Sequence, residues 1–162
     1  MATDNHQTTN VLIVGVGGQG VLKTSQVLAD VLVRSGYDVK QSEVHGMSQR
    51  GGSVVSEVRF GEQVHSPLTP YEAADYVIAL DGDEGRRALP RLRADGVMID
   101  VPPELTGRLA HVRSRNMAAL GRLSLHLSPQ TELWHEAIRR FLPKGTEQDN
   151  IAAFEAGRDF ED

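Results

Sequence analysis

Four apolar residues, Val11 to Val14, run directly into the hexapeptide GVGGQG, Gly15 to Gly20, and then into a segment with helical periodicity, Val21 to Ser35. A continuous apolar run bounded by Asn10 and Gly15 is the pattern of a strand covered on both faces. Val21, Ser25, Leu28, Ala29 and Leu32 share one face of the following helix, Val27 and Val31 widen it, and Gly36 suits its C-cap. Strand, glycine turn and helix open a βαβ unit, which places the chain in the α/β class.

The rest of the chain keeps this alternation. Tyr37 to Glu43 is the expected second strand, and Val54, Val58 and Phe60 mark the buried face of a third. Gly61-Glu62-Gln63 reads as a tight turn into Val64-His65, a hairpin that would make the sheet mixed. Tyr76 to Leu80 and Val97 to Asp100 are further strands. Between them, Asp83 to Arg93 is a helix shortened by Pro90. Leu109 to Val112 fits a short strand. Helices are expected at Asn116–Leu127, Thr131–Phe141 and Thr146–Ala156. The expected architecture is a three-layer α/β/α sandwich with a Rossmann-like mixed sheet, mostly parallel, and C-terminal helices. Residues 1–9 read as a flexible leader, 10–158 as a single domain and 159–162 as a tail.

The 162 residues suffice for a substantial core. With 17 basic against 22 acidic side chains, a net charge of −5 gives no electrostatic reason to expect nucleic acid. The chain has no cysteine, hence no disulfide, no thiolate nucleophile and no thiolate ligands for an iron–sulfur cluster. It has neither a signal-peptide pattern nor an apolar stretch near the roughly 20 residues that span a bilayer, so a cytoplasmic protein without membrane partners is expected.

GVGGQG satisfies G-x-G-x-x-G, and Gly15, Gly17, Gly18 and Gly20 are candidate cofactor contacts, because free amides at a helix N-terminus favour an anion. The acidic residue that such a site needs at the end of the second strand is represented only by Glu43, a few residues late. Two readings stay open: a nucleotide turn, which would suit a stand-alone nucleotide-binding or regulatory protein, or glycines for close strand-to-helix packing. A P-loop is rejected, since no Gly-Lys-Ser or Gly-Lys-Thr follows and Lys23 lies inside the helix.

His45, Gln49, Arg50 and Ser53 fall within nine positions, together with Gly46, Gly51 and Gly52. A histidine can move protons near neutral pH, an arginine can hold a carboxylate or phosphate, and glycine amides can donate. A structural loop and a subunit interface are the competing readings. His65, His111, His126 and His135 show no metal-ligand spacing, so no metal is expected. Asp75, Asp81 and Asp83 flank a strand end, where helix capping competes with acid–base chemistry. Arg86, Arg87, Arg91 and Arg93 suit a solvated helix face, and Trp134, Ile138 and Phe141 a core stripe.

GVGGQGV at Gly15 to Val21, followed by YDVKQSEVHGMSQRGGSVVSEVRFG at Tyr37 to Gly61, resembles the gamma-type subunit or domain of 2-oxoacid:ferredoxin oxidoreductases, particularly that of indolepyruvate oxidoreductases. VHSPL at Val64 to Leu68, ADYVIAL at Ala74 to Leu80 and DNIAAFEAGR at Asp149 to Arg158 extend the likeness over most of the chain. The stretch Asp100 to Asn116 is shorter than the family's usual middle region. The resemblance implies an enzyme that converts an arylpyruvate, coenzyme A and oxidised ferredoxin to an acyl-coenzyme A, carbon dioxide and reduced ferredoxin. Thiamine diphosphate, magnesium and the iron–sulfur clusters would sit on a larger alpha subunit. This chain would carry no cofactor of its own, with the His45 to Ser53 loop facing the partner.

Overall fold

β1 (Thr9–Val16) is buried along nearly its whole length, so it must lie at the centre of a sheet covered on both sides. It does so in a computed structural model that describes residues 7–47 and 51–162. The sheet order is β2-β3-β1-β4-β5, with β2 (Asp38–His45), β3 (Ser53–Gly61), β4 (Ala74–Ala79) and β5 (Leu92–Ile99). β1 pairs with β4, and β4 with β5, in parallel. β3 runs antiparallel to both β1 and β2, with Ile13 opposite Ser56 and Gln41 opposite Val58.

The expectation of a mostly parallel sheet therefore needs correction: its four strand junctions divide evenly between parallel and antiparallel. The physical reason lies in composition. β3 carries Val54, Val58 and Phe60, buried on one face, and takes the interior position; polar β2, DVKQSEVH, is left at the edge. The mixing also arises elsewhere than expected. Val64 pairs with no strand; it is buried, and its N–H donates to Asp38 Oδ2 at 2.8 Å, so the turn after Gly61 leads into a loop.

Helix α1 (Val21–Arg34) buries Val21, Ser25, Leu28 and Leu32 of the expected stripe together with Val27 and Val31, while Ala29 is only partly buried. α2 (Gly82–Ala88) is capped by Asp81, whose carboxylate accepts the N–H groups of Asp83 and Glu84, and it passes at Pro90 through a 3-10 turn into β5. α3 (Pro103–Thr106), α4 (Arg115–Ser124), α5 (Thr131–Phe141) and α6 (Glu147–Arg158) complete the chain. The strand expected at Leu109 to Val112 is absent: Leu109 alone packs on the core, Val112 is exposed, and Val112–Ser114 is a 3-10 turn into α4.

The two faces of the sheet are unequal. Val11, Ile13, Val58 and Ile78 meet the large core formed with α1, α4, α5 and α6, which includes Trp134 and Ile138. Leu12, Val14, Val77 and Ala79 on the other side meet little more than Ala88 of α2. Within the large core, α4 and α6 cross backbone to backbone. A Cβ on Gly121 would run into the Phe154 carbonyl, and one on Gly157 into the Ala118 carbonyl. The Trp134 and Phe154 rings stack beside this crossing, their centroids 5.5 Å apart. Past α6, the Phe160 ring lies under the guanidinium groups of Arg108 and Arg122, and Arg122 also binds the Asp162 carboxylate.

Candidate functional site

Chain direction sets the location. After β1 the chain goes to α1 on one face; after β4 it goes to α2 on the other. A crevice is therefore expected beyond the carboxyl ends of β1 and β4, where α/β folds place ligands. GVGGQG lies there. Gly18 and Gly20 take φ values of +91° and +80°, which L residues with a Cβ avoid, and Gly20 immediately precedes α1. Gln19 folds back so that its Oε1 accepts the Val16 N–H at 2.8 Å, filling the space a side chain on Gly15 would need. Asn116 at the start of α4 donates from Nδ2 to the Gly20 carbonyl at 3.4 Å.

The second motif packs against the first. The Gly17 N–H donates to the Gly52 carbonyl at 3.0 Å, and the Gly46 N–H to the Ser53 carbonyl at 2.6 Å. Gly51, at φ +64°, lies against Gly17. Gln49 and Arg50 lie outside the described residues. The other two candidates do not converge. His45 pairs with Val54 and so shares the α1 face, where its Nε2 sits 3.7 Å from Glu43 and the ring is half exposed. Ser53, one residue before Val54, points to the opposite face and donates from Oγ to Glu84 Oε2 at 2.7 Å.

Glu84 is the residue that sequence reasoning missed. Only 6% exposed, it accepts Ser53 at one oxygen and Arg87 Nη1 at the other, 2.7 Å away, tying the end of the loop to α2. Its signal was the Asp81-x-x-Glu84 spacing of a helix start. Glu57 was missed as well: 5% exposed on β3, it accepts Arg91 at 2.8 Å and the Thr69 N–H at 2.6 Å. Gln19 could have been noticed as the one polar side chain in the turn, whereas nothing in the sequence links Asn116 to Gly20.

The nucleotide reading of the turn loses its acidic anchor. In a dinucleotide site the second strand lies beside the first, roughly 4.8 Å away. Here β3 is interposed, which places the end of β2 and Glu43 roughly twice as far from β1. The turn also spends the Val16, Gly17 and Gln19 amides on internal bonds.

Most of the other acidic and histidine candidates have structural partners. Asp81 caps α2, Asp83 pairs with Arg86, and Asp75 accepts both the Asn10 N–H and Arg93. Bonding to Asp75 raises the Arg93 pKa, while burial, with the Asp75 charge second, raises that of the Tyr76 hydroxyl. His111 faces Asp149, His135 bonds Glu155 and His126 packs on Tyr76. Among the described residues, no group of three or more His, Asp or Glu side chains is arranged to hold a metal ion.

Residues 10–106, which include both motifs, match the family model described as pyruvate ferredoxin/flavodoxin oxidoreductase. The chain belongs to this family. It is 43% identical over 90 residues to the indolepyruvate oxidoreductase subunit IorB of Methanothermobacter thermautotrophicus, covering 56% of this chain and 45% of that protein. It spans about half the length of the curated indolepyruvate oxidoreductase subunits it matches. The fold is that of the gamma subunit of a keto/oxoacid ferredoxin oxidoreductase from Geobacter sulfurreducens, with a TM-score of 0.75 at 21% identity, covering 92% of this chain and 95% of that one. A 2-oxoglutarate:ferredoxin oxidoreductase chain from Magnetococcus marinus contains the same fold in 30% of its length. There the TM-score is 0.80 at 18% identity over 94% of this chain. Among the described residues, no helix is long and apolar enough to cross a membrane.

Proposed function

We propose that residues 10–158 form one gamma-type domain serving a 2-oxoacid:ferredoxin oxidoreductase, with indolepyruvate or another arylpyruvate as the oxoacid. The observation that carries this reading is the family match over residues 10–106, whose two motifs are held together by the Gly17–Gly52 bond. The reaction would oxidatively decarboxylate the 2-oxoacid, with coenzyme A as acyl acceptor and ferredoxin as electron acceptor, in the cytoplasm. A chain without cysteine has no thiolates for an iron–sulfur cluster, and none of its described side chains forms a metal cage. The family likeness is what assigns thiamine diphosphate, magnesium and the clusters to a larger partner subunit in this reading, and no chemical step is assigned to this chain.

Its own residues contribute a shaped surface. The loop leaving β2 is tied at its base by the Gly46–Ser53 and Gly17–Gly52 bonds and by Ser53 to Glu84. His45 stands half exposed beside it. These bonds fix the two ends of the loop, at Gly46 and at Gly52-Ser53, before a partner binds. Co-expression with the large subunit, sizing chromatography and an oxoacid-dependent ferredoxin reduction assay test the reading. Co-elution is expected, with activity that the large subunit lacks alone, and Arg50→Ala lowering turnover about tenfold, or ~1.4 kcal/mol. Separate elution, together with undiminished activity of the large subunit alone, refutes it.

A further inference from the structure

The outer edge of β2 is a second feature built for recognition, away from the glycine turn. β2 runs eight residues without a bulge in its pairing to β3 and contains no proline. Among the described residues, no backbone hydrogen bond reaches its outer side beyond those of the sheet; the segment from Val64 to Pro67 meets only the Asp38 and Ser42 side chains, which face away from α1. A long, regular, uncovered edge is a template for another strand, and proteins ordinarily shorten, bulge or cover such edges.

A groove runs beside this edge. A cleft of about 350 Å³ is lined by Gln26, Gln41, Ser42 and Glu43, and it adjoins another of about 250 Å³ that shares Gln26 and Gln41 and ends on Val33 and Phe141. Among the described residues, Glu43, with His45 Nε2 3.7 Å away, supplies the one charge lining the first cleft, and the Gln26 Oε1 atom there is shielded with no hydrogen-bond partner. In the second, the charge of Asp30 is offset by Arg140, 2.8 Å from Oδ1, and by Arg34, 3.9 Å from the shielded Oδ2. The groove thus offers a carboxylate and an unpaired acceptor at one end and an apolar floor at the other.

A second copy of the chain fits this edge poorly. Two antiparallel β2 strands about a two-fold axis must set residues of the same face opposite each other, so partners have the same parity. Centred on Lys40 or Glu43, the pair sets like charges against each other. Centred on Gln41 or Ser42, it opposes no charge with its opposite, and centred on Val39 or Val44, where Asp38 would meet Lys40 or Glu43 would meet His45, only three β2 residues of each copy overlap.

We propose that the β2 edge receives an extended segment of the large partner subunit as a sixth strand, its α1-facing side chains placing a basic group beside Glu43 and an apolar one on Val33 and Phe141. Main-chain bonds would supply affinity and the groove specificity, as in other strand additions. This inference rests on the reading of the chain as a subunit of such a complex.

Hydrogen–deuterium exchange of the chain, free and in complex with the large subunit, tests it. About four β2 amides point outward; they should exchange rapidly in the free chain and at least a hundredfold more slowly in the complex. Glu43→Lys, at an exposed position, should leave the melting temperature unchanged and raise the Kd for the large subunit at least tenfold. A complex that forms with β2 exchange unchanged overturns the edge assignment while leaving the subunit reading intact. Concentration-dependent protection of β2 in the isolated chain would assign the edge to a second copy instead. If no complex forms, both readings fall.

Discussion

Gly121→Ala sets two effects of opposite sign against each other. In the interior of α4, replacing glycine gains about 1 kcal/mol of helix propensity. Against that, the added methyl would enter the Phe154 carbonyl of α6, which is backbone and cannot rotate aside. Relief requires the helices to move apart by roughly 1 Å, and a gap of that size forfeits a quarter to a half of the dispersion energy at the contact. Overpacking of this kind costs about 1–3 kcal/mol, and a backbone clash lies at or above the upper end. The net expectation is a loss of roughly 2–3 kcal/mol, which lowers Tm by roughly 5–10 °C in a chain of this length. Urea unfolding should show a lower midpoint at an unchanged slope. Gly157→Ala, which meets the Ala118 carbonyl at the same crossing, should behave alike. The double variant should lose less than the sum, because helices already parted admit the second methyl. A Tm equal to or above that of the parent would show that propensity wins and that α4 and α6 do not meet backbone to backbone.

Three further outcomes are expected. Arg91→Met strands the Glu57 carboxylate in its buried site and should destabilise by about 3 kcal/mol in urea unfolding, with most of the loss recovered by adding Glu57→Gln. The Val64 N–H, and after it the Lys40 ammonium, hold the Asp38 carboxyl below the usual aspartate range. That stabilisation is present above the ordinary aspartate pKa and lost as pH falls through the depressed folded value, so Asp38→Asn should be less stable than the parent at neutral pH and converge with it in acid. Ser53→Ala removes the donor to Glu84 and should cost about 1.5–3 kcal/mol, with faster exchange of the Gly17 and Gly46 amides; unchanged exchange would mean that the loop base is held without this bond.

Much of the fold was legible because local pattern and environment agree. The apolar run at Val11 to Val14, most of the stripe on α1, and Trp134 and Ile138 of the stripe that ends on the partly buried Phe141 each match one burial geometry. The order of strands was less legible. β3 entering between β2 and β1 depends on which of two strands is the more apolar, a comparison that periodicity within one strand does not make. At the site, the glycine positions could be read, since positive φ leaves a compositional trace at Gly18, Gly20 and Gly51. The partners that fix them could not. Asn116 lies ninety-six residues from Gly20, and Glu84 thirty-one from Ser53, separations at which only the assembled sheet brings side chains together. His45 and Ser53, close in sequence, are parted by strand pleating alone.

The placement of β3 also governs what the loop between residues 46 and 52 can tolerate. Ser53 pairs with Val16, while Val54 pairs at once with Gly15 and His45, so the far end of the loop is stitched into two ladders from its first residues. A residue inserted into β3 would flip Ser53 away from Glu84 and slip both ladders together. One inserted between Gly46 and Gly52 would disturb neither. The anchors are thus set by the sheet, so that a change confined to the span between them leaves both ladders in register.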